Sequence, residues 1–266
     1  MKVLVTAKQV ATVDDDDFEV GVDGVDEQFL EYDLNEWDEY AVESGVSFAE
    51  ECDDDVEVVS VTIGPEQTEE TIRMVLAKGV DRAIRVWDDA LDEDALRDVE
   101  TKAALLEAVA ERESPDLVLT GVQASDDGLG ATGVALAATM DVAWAAVAND
   151  VEIDADAETV HARRELEGGL EEVTDVALPA VLTIQTGINE PRYASLRGIR
   201  QAQRKEILPL GLDDLDVDAT QLKRRLSVKS TRVPETTSTA TLFEGEADET
   251  ATDLAEMLRD EGVTAE

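Results

Sequence analysis

Along the first 121 residues, strand-length apolar runs alternate with helix-length amphipathic ones, and few architectures survive that constraint. Lys2 to Lys8 is a short apolar run suited to a buried parallel strand. Glu36 to Glu51 follows, with Trp37, Tyr40, Ala41, Gly45 and Phe48 at helical spacing. Val56 to Ile63 reads as a second strand ended by Gly64 and Pro65, and Glu66 to Lys78 as a helix stopped by Gly79. Arg82 to Trp87 is a third strand, Glu93 to Glu113 a long helix and Asp116 to Gly121 a fourth strand. Repetition of strand then helix predicts an α/β fold with a doubly wound, mostly parallel sheet of the Rossmann-like kind.

From Val142 the rhythm changes. Val151 to Ile153, Thr159 to Glu165, Glu171 to Val176 and Leu178 to Ile184 read as strands joined by short polar turns, which predicts antiparallel additions near the sheet edge. Beyond Ile207 the chain turns irregular and polar, with Thr and Ser clustered at Thr236 to Thr241, and only Asp248 to Glu261 recovers an amphipathic helical pattern. Residues 208–266 hold too little apolar material for a core of their own. The expected organisation is therefore an α/β nucleotide-binding domain over residues 1–207 and a C-terminal extension lying on it or on another chain.

Charge narrows the choice of partners. With 64 acidic and 22 basic residues the formal net charge is −42, which repels nucleic acid and anionic membranes alike. Lysine is scarce, seven against fifteen arginines, and runs such as Asp14 to Asp17 and Asp53 to Asp55 concentrate negative charge. This is the pattern of a protein from a high-salt cytoplasm. Self-repulsion across such a surface weakens as the screening length falls from about 10 Å at 0.1 M salt to about 3 Å at 1 M. Yet 43% hydrophobic residues in repeated Val, Leu and Ile runs argue against an acidic disordered chain.

The single cysteine, Cys52, excludes an internal disulfide, and the single histidine, His161, excludes a multi-histidine metal centre and leaves a Ser-His-Asp triad without footing. His161 reads as a strand residue. The longest apolar region, Val134 to Ala148, is cut by Asp141, so no membrane span is expected and the protein is read as soluble and cytoplasmic.

After the fourth strand comes Gly121 to Gly133, GVQASDDGLGATG, leading into the helix-compatible Val134 to Met140. Glycines at 128, 130 and 133 let several N–H groups point one way, and a helix N-terminus adds partial positive charge, so the element suits an anion. Thr132 has a hydroxyl to donate. The sequence matches neither GxGxxG nor the Walker A pattern, and no lysine lies in the loop. An SGGxDS loop of the ATP pyrophosphatase kind is also absent, which disfavours an adenylating or ATP-hydrolysing enzyme. Asp126 and Asp127 would repel phosphate if they faced it; bonding to backbone or ribose, or capping the helix, are the roles open to them. A glycine-rich turn with no ligand is the competing reading.

Asn189 to Lys205, NEPRYASLRGIRQAQRK, inverts the charge balance with five Arg or Lys against the single acid Glu190. Pro191 breaks any helix starting there, so Tyr193 and Leu196 are presented beside guanidinium groups, a combination suited to an interface. The alternative is an amphipathic helix start whose arginines neutralise neighbouring acids.

Five separated motifs occur in order: VLVTAKQV, LNEWDEYAVE, GPEQTEETIRMVLAKGVDRAI, LTGVQASDDGLGATG, and the long run RRELEGGLEEVTDVALPAVLTIQTGINEPRYASLRGIRQAQRK. On these the chain resembles the beta subunit of electron transfer flavoproteins over nearly its full length. The resemblance implies an electron carrier rather than an enzyme. It implies a heterodimer with an alpha subunit, FAD held mainly by that subunit, and AMP bound structurally by this one. Electrons would pass from flavin dehydrogenases to a membrane quinone reductase or other acceptor. The AMP site it implies gathers Thr6, Asn35, Trp37, Asp38, Ile63 and the loop with Gly121, Gln123, Ala124, Asp126, Asp127, Gly128, Gly130, Ala131 and Thr132. It also implies that Leu196 anchors a segment recognising partner dehydrogenases, with Tyr193, Arg197, Arg200, Arg204 and Lys205 around it. The family loop often carries three acids followed by Asn and Gln before Thr, whereas this one has Asp126, Asp127, Gly128, Leu129, Gly130 and Ala131. Relatives of the electron-bifurcating type place a second FAD in this subunit, and a glycine-enlarged loop suits that larger ligand. A non-redox adenine-nucleotide-binding protein is the remaining alternative.

Overall fold

The computed structural model describes residues 1–13, 20–21, 24–52, 55–233 and 240–263. The acidic run Asp14 to Asp17, Asp53 and Asp54, and residues 236–239 of the Thr-rich cluster lie outside the described residues. The chain forms two units, Met1–Thr231 and Arg232–Glu266.

In the first unit the strands are β1 (Lys2–Thr6), β2 (Gln9–Val13), β3 (Val20–Gly21), β4 (Gly24–Val25), β5 (Leu30–Leu34), β6 (Glu57–Ile63), β7 (Arg82–Val86), β8 (Leu117–Gly121), β9 (Ala143–Ala148), β10 (Asp150–Asp154), β11 (Thr159–Leu166), β12 (Leu170–Ala177), β13 (Ala180–Ile184) and β14 (Ile207–Leu210). The α-helices are α1 (Glu36–Glu51), α2 (Glu69–Ala77), α3 (Glu93–Arg97), α4 (Val99–Glu113), α5 (Thr132–Met140) and α6 (Leu196–Ala202). A seven-stranded sheet runs in the order β14-β7-β6-β1-β8-β13-β9, and every pairing in it is parallel. Both faces are covered, as a parallel sheet requires. Val3 and Val5 point to the α1 and α2 side with Val42, Ile72 and Leu76, while Leu4 points to the opposite side with Leu105, Val109 and Leu136 of α4 and α5. Alternate residues of one strand thus feed two cores, which is why the strand reads as an unbroken apolar run.

Local chemistry sets the helix ends. Asp98 caps α4 by accepting the N–H of Glu100 at 3.0 Å, and this cap divides the expected Glu93 to Glu113 helix into α3 and α4. The first turn of α1 carries Glu36, Asp38 and Glu39, favourable against the positive end of the helix dipole.

One expectation needs correction. Leu178 to Ile184 is no antiparallel addition: its strand, β13, runs parallel between β8 and β9, with all five residues buried. The apolar stretch Val134 to Ala148 is cut at Asp141, as expected. Asp141 adopts the left-handed conformation, φ 54°, ending α5 and turning the chain into β9 at the sheet edge. The remaining antiparallel strands, β10, β11 and β12, form a separate three-stranded sheet. Two further antiparallel pairs, β2 with β5 and β3 with β4, are ones that the sequence pattern did not announce. The first unit runs past Ile207 because β14 extends the sheet beside β7 and Leu212, Leu215 and Leu222 are buried in its core. In the second unit, α7 (Ala247–Asp260) recovers the amphipathic segment expected at Asp248 to Glu261. Among the described residues no helix is long and apolar enough to cross a membrane.

Candidate functional site

The strand order reverses between β1 and β8, and at this switch point the carboxyl ends of β1, β6 and β8 open into a cleft. Its walls include Thr6, Asn35, Asp38, Ile63, Gly121, Gln123, Ala124, Asp127, Gly130, Ala131 and Thr132. Three other expected site residues are placed differently. Trp37 donates its indole N–H to Gln185 Oε1 at 3.0 Å, Asp126 pairs with Lys8 at 2.6 Å, and Gly128 sits at φ 60° in open space.

Asn35, almost wholly buried, holds the loop in position: its Nδ2 donates to the Gln123 carbonyl at 2.8 Å and its Oδ1 accepts the Ser125 N–H at 3.3 Å. Asp38 ties the segment leaving β1 to the end of β8, accepting the backbone N–H of Lys8 at 2.8 Å and of Gly121 at 3.0 Å. Burial pushes its pKa up to about 6, against the opposing pull of these two N–H groups and the Lys8 charge. Gly121 is obligatory here, since a Cβ would lie 2.7 Å from both Asp38 Oδ1 and Trp37 Cβ.

Beyond the loop, α5 starts with its first-turn N–H groups uncapped by any side chain, and Ala131 and Thr132 at that start line the cleft. An uncapped helix N-terminus facing a cleft favours an anion. Val61, Ile63, Leu96 and Leu106 also line the cleft and supply an apolar wall suited to a flat ring. The donor set and the apolar wall together fit an adenylate.

Lys8 and Lys102 also line the cleft and were missed by sequence reasoning. Lys8 bonds Asp126 at 2.6 Å and Asp127 at 3.1 Å, and Lys102 bonds Asp127 at 3.1 Å. The Leu129 N–H adds a bond at 3.0 Å to the other Asp127 oxygen. Burial alone would raise the Asp127 pKa, but this N–H and the two ammonium groups hold it below the ordinary value. The only available signal was the scarcity of lysine itself.

The charge-inverted segment forms a second feature. Ser195 caps α6 by accepting the Gly198 N–H at 3.0 Å, and Tyr193 and Leu196 are 97% and 79% exposed. Arg192 turns inward to Glu43 at 2.8 Å and Glu50 at 2.8 Å. Lys78 donates to the Arg192 carbonyl at 2.9 Å, and Arg73 to those of Ala202 and Lys205 at 2.7 and 2.8 Å. Lys205, expected beside Leu196, turns inward to the Leu76 carbonyl at 3.2 Å. The guanidinium groups of Arg197, Arg200 and Arg204 have no partner among the described residues and, with Leu196 and Gln201, line a shallow surface hollow. His161 lies elsewhere, exposed on β11, where the carboxylate of Asp175 at 2.6 Å raises its pKa. No group of His, Cys, Asp and Glu among the described residues is arranged to hold a metal.

Fold and cleft define a doubly wound α/β protein with a cleft at its switch point. The profile described as "Electron transfer flavoprotein domain" matches residues 22–215. The chain is 42% identical to the electron transfer flavoprotein subunit beta of Methylophilus methylotrophus, over 98% of both chains. The subunit beta of Bacillus subtilis is 34% identical over 87% of each chain, and that of Bos taurus 38% over 79% of this chain and 80% of its own. The chain belongs to the electron transfer flavoprotein family, of the beta-subunit type.

Proposed function

We propose that this chain is the non-enzymatic half of a heterodimeric electron carrier, binding AMP structurally and pairing with an alpha subunit that holds the redox-active FAD. The observation carrying the AMP reading is the cleft at the switch point, whose lining combines the uncapped start of α5 with apolar side chains. When bound with the alpha subunit, the flavin supplies the electron chemistry. This chain's residues bind, position and dock. Thr132 and the N–H groups at the start of α5 would hold the phosphate, and Asn35 and Asp38 keep the loop against β1. The α6 segment, with Leu196 outermost, would dock flavin dehydrogenases, and electrons would leave to a quinone reductase or other acceptor. The tail beyond Thr231, including α7, would pack on the alpha subunit, and the acidic surface would suit a cytoplasm of molar salt.

A second FAD in place of AMP is the competing reading, and it rests on the family resemblance alone. The heterodimer purified in high salt distinguishes the cases through its flavin spectrum and the AMP and FAD released on denaturation. One FAD and one AMP per heterodimer is the expected result; two FAD and no AMP would identify the bifurcating type, and a colourless preparation would refute the carrier.

A further inference from the structure

The β8–α5 loop brings the carboxylate of Asp127 into the lining of a cleft that, on the reading above, accepts an adenylate, with that of Asp126 beside it on the shared Lys8. Left unpaired, they would oppose the phosphate. Lys8, just past the end of β1, reaches Asp126 at 2.6 Å and Asp127 at 3.1 Å, while Lys102 in the first half of α4 reaches the same Asp127 oxygen at 3.1 Å. Asp127 is therefore bracketed by ammonium groups from two walls, and two cations balance two anions. The two lysines are not equivalent. Lys8 is shared between both acids and its side chain is 35% exposed, whereas Lys102 is 13% exposed and Asp127 is its one carboxylate partner among the described residues. Without Lys102, a single ammonium would serve two carboxylates, and the cleft would gain one net negative charge.

We propose that Lys102, through its bridge to Asp127, sets the preference of this cleft for a phosphorylated adenosine over the uncharged nucleoside. The inference rests on the nucleotide reading of the cleft. Charge acts on the phosphate and leaves the base and ribose contacts alone, so the effect appears in the ratio of the two affinities. At contact distances in a part-buried site such a charge survives molar salt better than exposed charges do.

The test uses the heterodimer stripped of nucleotide and titrated calorimetrically with AMP and with adenosine at one fixed high salt concentration. The wild type should favour AMP. Lys102→Met should lower that preference about tenfold, through AMP affinity alone, with adenosine affinity held within about twofold. Lys102→Arg should restore most of the preference, and so should Lys102→Met combined with Asp127→Asn, which removes the carboxylate left unpaired. An unchanged ratio in Lys102→Met, or equal losses for AMP and adenosine, would overturn the inference while leaving the nucleotide site intact. A wild type that binds AMP and adenosine equally would also overturn it. Binding of neither ligand by the wild type would remove the nucleotide reading itself, and the inference with it.

Discussion

A Cβ on Gly133 would lie 2.4 Å from the hydroxyl of Thr120 and 2.6 Å from Cγ2 of Thr183, so the first turn of α5 is pressed directly onto β8 and β13. Glycine here sets how deep the helix N-terminus sits behind the cleft.

Gly133→Ala should accordingly destabilise the protein although alanine is the better helix former. The helix gain is about 1 kcal/mol, and relieving contact with two buried threonines costs about 1–3 kcal/mol and displaces the start of α5. Gly128→Ala provides the contrast, because that site is open and only its φ of 60° is at stake. Denaturant unfolding with nucleotide titration checks both variants: Gly133→Ala should lose stability and nucleotide affinity, Gly128→Ala mainly stability, by about 1 kcal/mol.

Leu196 and Arg192 lie four residues apart on one segment and should fail differently. Leu196 stands 79% exposed, so Leu196→Ala should leave unfolding unchanged within about 0.5 kcal/mol. It should cost about 2 kcal/mol or more in electron delivery from a partner dehydrogenase, without loss of FAD. Arg192 grips Glu43 and Glu50, so Arg192→Ala should weaken both stability and delivery. Coupled dehydrogenase turnover beside melting curves separates them, and equal turnover for Leu196→Ala would remove it as the anchor.

Asp38 gives the site a pH dependence of defined sign. Its pKa is near 6 in the folded state against 3.8 for an ordinary aspartate, so the folded protein holds this proton more tightly. The stability it contributes is full below the unfolded pKa and is lost as pH rises through about 6, up to about 3 kcal/mol in all. Asp38→Asn cannot ionise. The stability of the wild type relative to this variant should therefore fall by about 1 kcal/mol between pH 5 and pH 7 and then level off. Urea unfolding of both proteins along that range checks it; a rise with pH would mean that the Lys8 and Gly121 N–H bonds outweigh burial.

The parallel core was legible because strands buried on both faces read as continuous apolar runs, as at Val3, Leu4 and Val5. Strand order was not. β13 lies between β8 and β9 because the chain returns there after building the β10–β12 sheet, and a strand's composition does not name its neighbours. The loop Gly121 to Gly133 stood out through its glycines and its place after a strand. Lys8 and Lys102 did not, since one follows β1 and the other sits within α4, and only folding brings both to Asp127. Arg192 and Lys205 were legible as basic residues but not as inward-turned ones, because their partners are Glu43 and Glu50 of α1 and the carbonyls closing α2.

The net charge of −42 should make stability rise with salt over a range where most proteins change little. The cations of this chain are largely spent locally, on pairs such as Arg82 with Glu57 and Arg192 with Glu43, and 64 acids outnumber 22 bases. The excess carboxylates repel over the screening length, which shrinks from about 10 Å at 0.1 M to about 3 Å at 1 M. Salt also weakens the exposed ion pairs, but those are worth about 0–1 kcal/mol each, so relief of the summed repulsion prevails. Dialysis of the heterodimer from molar to 0.1 M KCl should lower its melting temperature and weaken subunit pairing, followed by calorimetry and sedimentation. Equimolar KCl and NaCl should act alike if screening is the cause, and a melting temperature unchanged on dialysis would show that the local pairs, rather than the excess charge, set the balance.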